Sequence, residues 1–278
     1  MNHSKILKVA ALTALGLSAT LSASVQAAEV LEVPYKTTGI IEFVPNTDPT
    51  KPVDPENPDP NEPVEPTDPT SPDEKPSPGT EGPLSIDFAS SLDFGSQKIS
   101  NKNETYFARS QKFTNGTPAR GNYVQVSDNR GTNAGWSLFV KQNGQFISYI
   151  NSLNGTLTGA EITLSNSAIN GLSHTKKPEG PTEIKLKPTA EDTLVMASTQ
   201  TAGAGTWVNV WGTAEDVVEK DETGKDATVS VNKAVNLFIP GDTPKDAVKY
   251  MTTLTWTLKD VPAPLDIPED PAQTDDNA

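Results

Sequence analysis

The 278-residue sequence contains no cysteine. That absence excludes disulfides, thiolate metal sites, a cysteine nucleophile and a lipidated N-terminal cysteine. Histidine is nearly absent too: of two in the chain, only His174 lies beyond the first 28 residues. A Ser-His-Asp triad would have to pass through it, yet the flanking Lys176-Lys177-Pro178 reads as an exposed loop rather than the setting of a general base. Long apolar runs are also missing. The longest, Val9 to about Ala23, is roughly 15 residues, short of the about 20 that cross a bilayer.

Positive charge is scarce where a nucleic-acid partner would need it. The formal net charge is -14, and residues 84–265 hold 18 acids against 17 bases. Phosphate recognition requires a basic surface, so no nucleic acid is expected. The acidity lies mainly outside that region: residues 45–83 hold ten acids against Lys51 and Lys75, and residues 266–278 hold five acids and no base.

Catalytic and metal signatures are likewise wanting. A glycosidase needs two carboxylates about 5–10 Å apart around a cleft, whereas Glu191-Asp192, Glu215-Asp216 and Asp221-Glu222 are adjacent pairs in turn-like surroundings. There is no Gly-x-Ser-x-Gly elbow and no His-Glu-x-x-His helix. The acids of Asp221–Asp226 do not follow calcium-loop spacing, and Lys220 and Lys225 sit among them, so a hairpin turn is the better reading. No enzyme activity, catalytic residue, metal or cofactor is expected.

What the sequence does contain falls into five parts. Residues 1–28 combine a basic start, an apolar run and Ala27-Ala28 before Glu29, the three parts of a secretory signal; once it is cleaved no membrane span is expected. Residues 29–44 include Thr38–Val44, which reads as a single strand that must pair with something, in this chain or in a partner. Residues 45–83 form an acidic proline-rich linker with prolines at 49, 52, 55 and 58, then 63, 66, 69 and 72. A three-residue period matches polyproline II, and some 30 such residues would span on the order of 90 Å, a disordered or extended spacer.

Residues 84–265 break into many short strand-like runs punctuated by Gly, Asn, Asp and Pro. They include Leu84–Phe88, Asn122–Val126, Gly135–Gln142, Ala160–Leu164, Thr182–Lys187, Thr206–Trp211, Ala227–Val231, Ala234–Ile239 and Met251–Lys259. About ten short strands in one domain predict an all-β fold, a β-sandwich or barrel-like architecture. Residues 266–278 read as an acidic disordered tail. The end of the sequence shows no apolar segment and no Leu-Pro-x-Thr-Gly signal, so any surface retention is expected to be non-covalent.

Two segments stand out by their tryptophans: Asn133-Ala134-Gly135-Trp136-Ser137-Leu138-Phe139-Val140 and Leu254-Thr255-Trp256-Thr257-Leu258-Lys259-Asp260-Val261-Pro262. Alternation on a strand puts Trp136, Leu138 and Val140 on one face, and Leu254, Trp256 and Leu258 on one face. These segments resemble the paired signature of the WxL domain family, surface proteins of Gram-positive bacteria. The resemblance extends to the leader, the strand before the linker, the acidic linker and the opening Gly82–Phe88.

The resemblance implies secretion and non-covalent attachment to the cell wall, with peptidoglycan as ligand. It also implies assembly with other cell-surface proteins, including other WxL proteins, and adhesion to host matrix. Trp136, Leu138, Trp256 and Leu258 are the motif-based candidate binding residues. Their chemistry leaves two uses open: exposed rings that stack on sugars or fill a partner's pocket, or core residues whose indole N–H groups find internal partners. Trp207, Asn209 and Trp211, sharing one strand face, are assigned to the core.

Overall fold

Strand-forming Val, Ile, Thr, Phe, Tyr and Trp dominate the runs that the turn residues delimit. The computed structural model describes residues 33–220 and 223–264, and every regular element in them is a strand. In chain order these are β1 (Leu84–Ala89), β2 (Glu104–Arg109), β3 (Asn122–Asp128), β4 (Trp136–Gln142), β5 (Ile147–Ser148), β6 (Glu161–Leu164) and β7 (Ser167–Asn170). They continue with β8 (Ile184–Leu186), β9 (Thr193–Ser198), β10 (Gly205–Trp211), β11 (Glu215–Lys220), β12 (Asp226–Ile239), β13 (Tyr250–Met251) and β14 (Leu254–Lys259). The signal peptide expected over residues 1–28 and the tail expected over 266–278 lie outside the described residues.

All pairings between these strands are antiparallel. One sheet runs β1-β3-β10-β7, a second runs β11-β12-β6-β8 with β2 also on β12, a third runs β14-β4-β9, and β13 pairs with β5. The all-β class is as the sequence predicts, with the sheets gathered round one apolar cluster. That cluster draws Val124 and Val126 from β3, Trp136 and Leu138 from β4, Ile162 and Leu164 from β6, Trp207 and Trp211 from β10, and Val235 and Leu237 from β12.

Two strand readings change in detail. The runs 227–231 and 234–239 join into β12, whose register shifts between Asn232 and Asn236. There the Asn232 side chain takes over the ladder's role, its Oδ1 accepting from Ala234 N–H at 3.1 Å while Nδ2 donates to Trp211 O at 2.8 Å. The run 251–259 instead divides at Thr252-Thr253, because its first part pairs with β5 and its second with β4. The turn-like reading of Glu215-Asp216 is corrected as well: both begin β11, an edge strand whose exposed positions suit charge.

Residues 51–68 depart from the extended spacer that their proline period predicts. Val53 is fully buried, and Pro55, Pro58, Val64 and Pro66 are buried with it. The segment folds back on itself, Val64 N–H donating to Pro52 O at 2.9 Å, and lies as a strap on the β1-β3-β10-β7 sheet. Its turns have a recurring chemistry. In Asp54-Pro55-Glu56, Asp59-Pro60-Asn61 and Asp68-Pro69-Thr70, the aspartate Oδ1 accepts the N–H two residues on, at 3.1, 2.8 and 2.8 Å. Proline sets the backbone angle and aspartate closes the turn, so these acids bend the chain instead of stretching it.

The strand expected over Thr38–Val44 does not form. Ile40 and Phe43 are 97% and 87% exposed, and Ile41 and Val44 are exposed beside them. A lone strand gains its ladder only from a pairing partner, and none of residues 33–44 belongs to a strand.

Candidate functional site

The two Trp-x-Leu motifs occupy adjacent strands. β14 pairs with β4 so that Leu258 faces Leu138, Trp256 faces Val140 and Lys259 faces Ser137. Cross-strand partners put their side chains on one face. Trp136, Leu138 and Val140 are buried, while Leu254, Trp256 and Leu258 are half-buried, because β14 is the edge of its sheet. The Trp256 ring reaches Trp211 of β10, with centroids 6.1 Å apart.

The residues around the first motif explain its context. Asn133 and Gly135 have φ of 51° and 79°, a left-handed pair that turns the chain into β4. A Cβ at Gly135 would come within 2.9 Å of Pro262 Cγ, so the glycine makes room for the proline that follows the second motif. Ser137 Oγ then donates to Val261 O at 2.8 Å. The flanking residues of the two motifs thus meet each other.

Trp136 is the anchor. Its indole N–H donates to Gly203 O at 3.0 Å, and a Cβ on Gly203, whose φ is 73°, would press to within 2.9 Å of that nitrogen. Trp207 is satisfied in the same manner by Ala204 O at 3.1 Å. Of the two uses left open for the tryptophans, burial selects the core for the first motif: Trp136 and Leu138 have 0% exposure and cannot touch a ligand in this fold. Trp256 and Leu258 keep partial exposure on the edge strand. The core assignment of Trp207, Asn209 and Trp211 matches the structure.

The strap builds a second layer that sequence reading did not foresee. β10 is buried on both faces: Trp207 and Trp211 enter the main core, whereas Val208 and Val210 join Val53 of the strap, Phe88 and Tyr123 in a separate cluster. Tyr123 packs against Phe88 with ring centroids 4.7 Å apart. The signal was present, since Trp-Val-Asn-Val-Trp is apolar on both alternating faces and such a strand needs two covers. What supplies the second cover cannot be read from the strand itself.

Polar groups fasten the strap. Gln125 is fully buried beneath it; its Oε1 accepts from Val53 N–H at 2.8 Å and its Nε2 donates to Lys51 O at 3.0 Å. The same Nε2 donates to Asp87 Oδ2 at 2.9 Å, and Asp87 also accepts from Ser85 and Ser127 hydroxyls at 2.6 Å each. Burial raises the Asp87 carboxyl above its ordinary range, against the lowering effect of those three donors.

At the strap's edge Arg120 grips Asp54 through Nε at 2.9 Å and Nη2 at 2.7 Å, and Glu56 through Nη1 at 2.9 Å. Burial alone would raise the Asp54 carboxyl, but the Arg120 bonds and charge and the N–H groups of Glu56 and Asn57 hold it below the usual value.

The acids considered for chemistry are dispersed. Glu191 and Asp192 are exposed and pair with Lys187 at 3.5 Å and Lys259 at 3.1 Å, and Glu215 pairs with Lys233 at 2.6 Å. Asp221 and Glu222 lie outside the described residues. His174 is exposed in the loop after β7. Among the described residues no three His, Cys, Asp or Glu converge as metal ligands, and no helix is long and apolar enough to cross a membrane.

No curated protein and no solved structure matches the chain. A family model described as WxL domain, surface cell wall-binding, matches residues 31–262, a span that holds the strap, the fourteen strands of the described residues and both paired motifs. The chain therefore belongs to the WxL domain family, whose members are described as surface cell wall-binding domains.

Proposed function

We propose that this chain is an exported surface protein that attaches non-covalently to the cell wall through its β domain, with peptidoglycan as the polymer bound. The supporting observation is the family match across residues 31–262. Residues 1–28 direct export in this reading. In this reading the buried Trp136 and Leu138 hold β4 against β14, and wall contact falls to surfaces that this scaffold presents, the partly exposed Trp256 and Leu258 among them; the burial of the first motif supports that division.

Sedimentation of the chain lacking residues 1–28 with purified sacculi, stripped of protein and secondary polymers, tests the reading. Co-pelleting that saturates with added protein is the expected result. A folded protein that stays in the supernatant refutes direct binding to peptidoglycan.

A second reading rests on a different observation, the exposed apolar residues Ile40, Ile41, Phe43 and Val44. In it the chain is an assembly protein that adds this segment as a strand to the sheet edge of another cell-surface protein, and through such assemblies contributes to host-matrix adhesion. It predicts wall retention only in cells that supply the partner. Replacing Ile40 and Phe43 with aspartate abolishes that retention while leaving sacculus binding by the purified chain unchanged.

A further inference from the structure

A trough runs between the strap and the end of the β7-β10 pair, made of two abutting depressions of about 410 and about 610 Å³ that share Pro58 and Ser173. Each alone falls within the about 300–1,000 Å³ usual for ligand sites. Both are open to solvent and meet at the residues they share, which leaves room for a ligand longer than either one. The floor is tightly packed: Gly171 lies so close to Trp207 that an added Cβ would fall 2.6 Å from the ring.

The lining is mixed in a particular way. Leu172, 55% exposed, presents apolar surface in the larger depression, where Asn46, Asn129, Ser173 and Thr206 add amides and hydroxyls, and Thr175 adds a hydroxyl in the smaller one. Such an array suits a ligand with apolar C–H faces and many hydroxyl or acetamido groups. The charges are unequal. In the smaller depression Glu56 is engaged by Arg120 at 2.9 Å, while Lys177 has no ion-pair partner among the described residues, unlike its neighbour Lys176, which meets Glu179 at 3.1 Å. In the larger one Lys51 and Asp48 are both present. Lys177 is therefore the unpaired cation of the smaller depression, whereas the larger one carries one charge of each sign, Lys51 and Asp48, that form no ion pair with each other.

We propose that this trough is a binding site for an N-acetylated glycan strand bearing carboxylate substituents, with Leu172 beneath a sugar face and Lys177 receiving a carboxylate. The choice of polymer rests on the wall-attachment reading; the location rests on the trough alone. It gives the strap a role, since one wall of the site is built from the proline-rich segment.

The test titrates the chain lacking residues 1–28 with two soluble probes. One is an N-acetylglucosamine/N-acetylmuramic acid tetrasaccharide with free lactyl carboxylates, the other the neutral N-acetylglucosamine tetramer. The native chain is expected to bind the acidic probe about fivefold more tightly, the worth of about one exposed charge pair. Lys177→Glu erases that preference, Ser173→Trp blocks the shared waist and abolishes binding of both probes, and Lys98→Glu, outside the trough, changes nothing. Circular dichroism establishes that each variant folds.

Failure of the native chain to bind either probe overturns the site, as does equal affinity for the two. Undiminished binding in the folded Ser173→Trp variant does so too. If sacculi pellet the protein while the trough variants bind them as well as native, wall attachment stands and this site falls. If the probes bind in the trough but sacculi do not pellet the protein, the site stands and direct attachment falls.

Discussion

Leu138 and Leu258, the leucines of two motifs 120 residues apart in the chain, are direct cross-strand partners on β4 and β14. They share a face but not an environment, because Leu138 is fully enclosed while Leu258 lies on the edge strand. Truncation should separate them. Leu138→Ala leaves a core cavity and is expected to cost about 2–5 kcal/mol. Leu258→Ala removes half-exposed surface and costs roughly 1 kcal/mol. Urea denaturation of both variants checks the order; equal losses would mean that β14 is covered in solution.

Trp136 and Gly203 form one unit through the indole hydrogen bond. Trp136→Phe strands the Gly203 carbonyl in the core at a cost of about 1–3 kcal/mol, in addition to any cavity left by the smaller ring. Gly203→Ala meets both a left-handed backbone and the neighbouring Ser198 side chain. The backbone alone contributes about 1–2 kcal/mol. A double-mutant cycle should show the two losses to be less than additive, and full additivity would deny the coupling.

Gln125 holds the strap from below through Lys51 and Val53. Gln125→Leu fills the same space without either hydrogen bond, leaving the Val53 N–H unpaired at a cost of about 1–3 kcal/mol. Hydrogen exchange at the Val53 amide should accelerate, and protease cleavage within residues 51–68 should precede global unfolding. Unchanged protection there would show that packing alone secures the segment.

Asp87 and Asp54 should respond to acid in opposite directions. The folded-state pKa of Asp87 lies above the ordinary aspartate value of 3.8. The folded protein therefore binds its proton more readily than the unfolded chain, and its contribution to stability increases as pH falls through the folded pKa toward 3.8. Asp54 titrates below 3.8, so the stability it contributes is present above that value and is lost as pH drops through its folded pKa. Relative to Asp87→Asn, the native protein should gain stability on acidification through the first window; relative to Asp54→Asn, it should lose stability in the second. Carboxyl NMR titrations place both midpoints, and an Asp87 midpoint below 3.8 would contradict this account.

The all-β class, most strand positions and the pairing of signature motifs with a family were legible in the sequence, because alternation and turn residues are local properties. Thr206–Trp211 shows this well: its alternation assigned Trp207, Asn209 and Trp211 to one buried face without reference to any other strand. Strands such as β11 escaped because an acidic edge strand resembles a turn when its partner is unseen. Proline spacing also misled at the strap. The period is real, yet Asp-Pro turns and buried contacts at Val53 and Pro58, both invisible locally, decide its path.

By itself, the sequence determined that the chain has no cysteine, is acidic overall, and carries β strands with two tryptophan motifs. Only the tertiary structure decided that Leu138 faces Leu258, that Trp136 is enclosed, and that an acidic linker covers a sheet. The reason is physical: hydrophobic periodicity states which side of a strand must be buried, but the group that buries it is chosen by contacts between residues far apart in the chain.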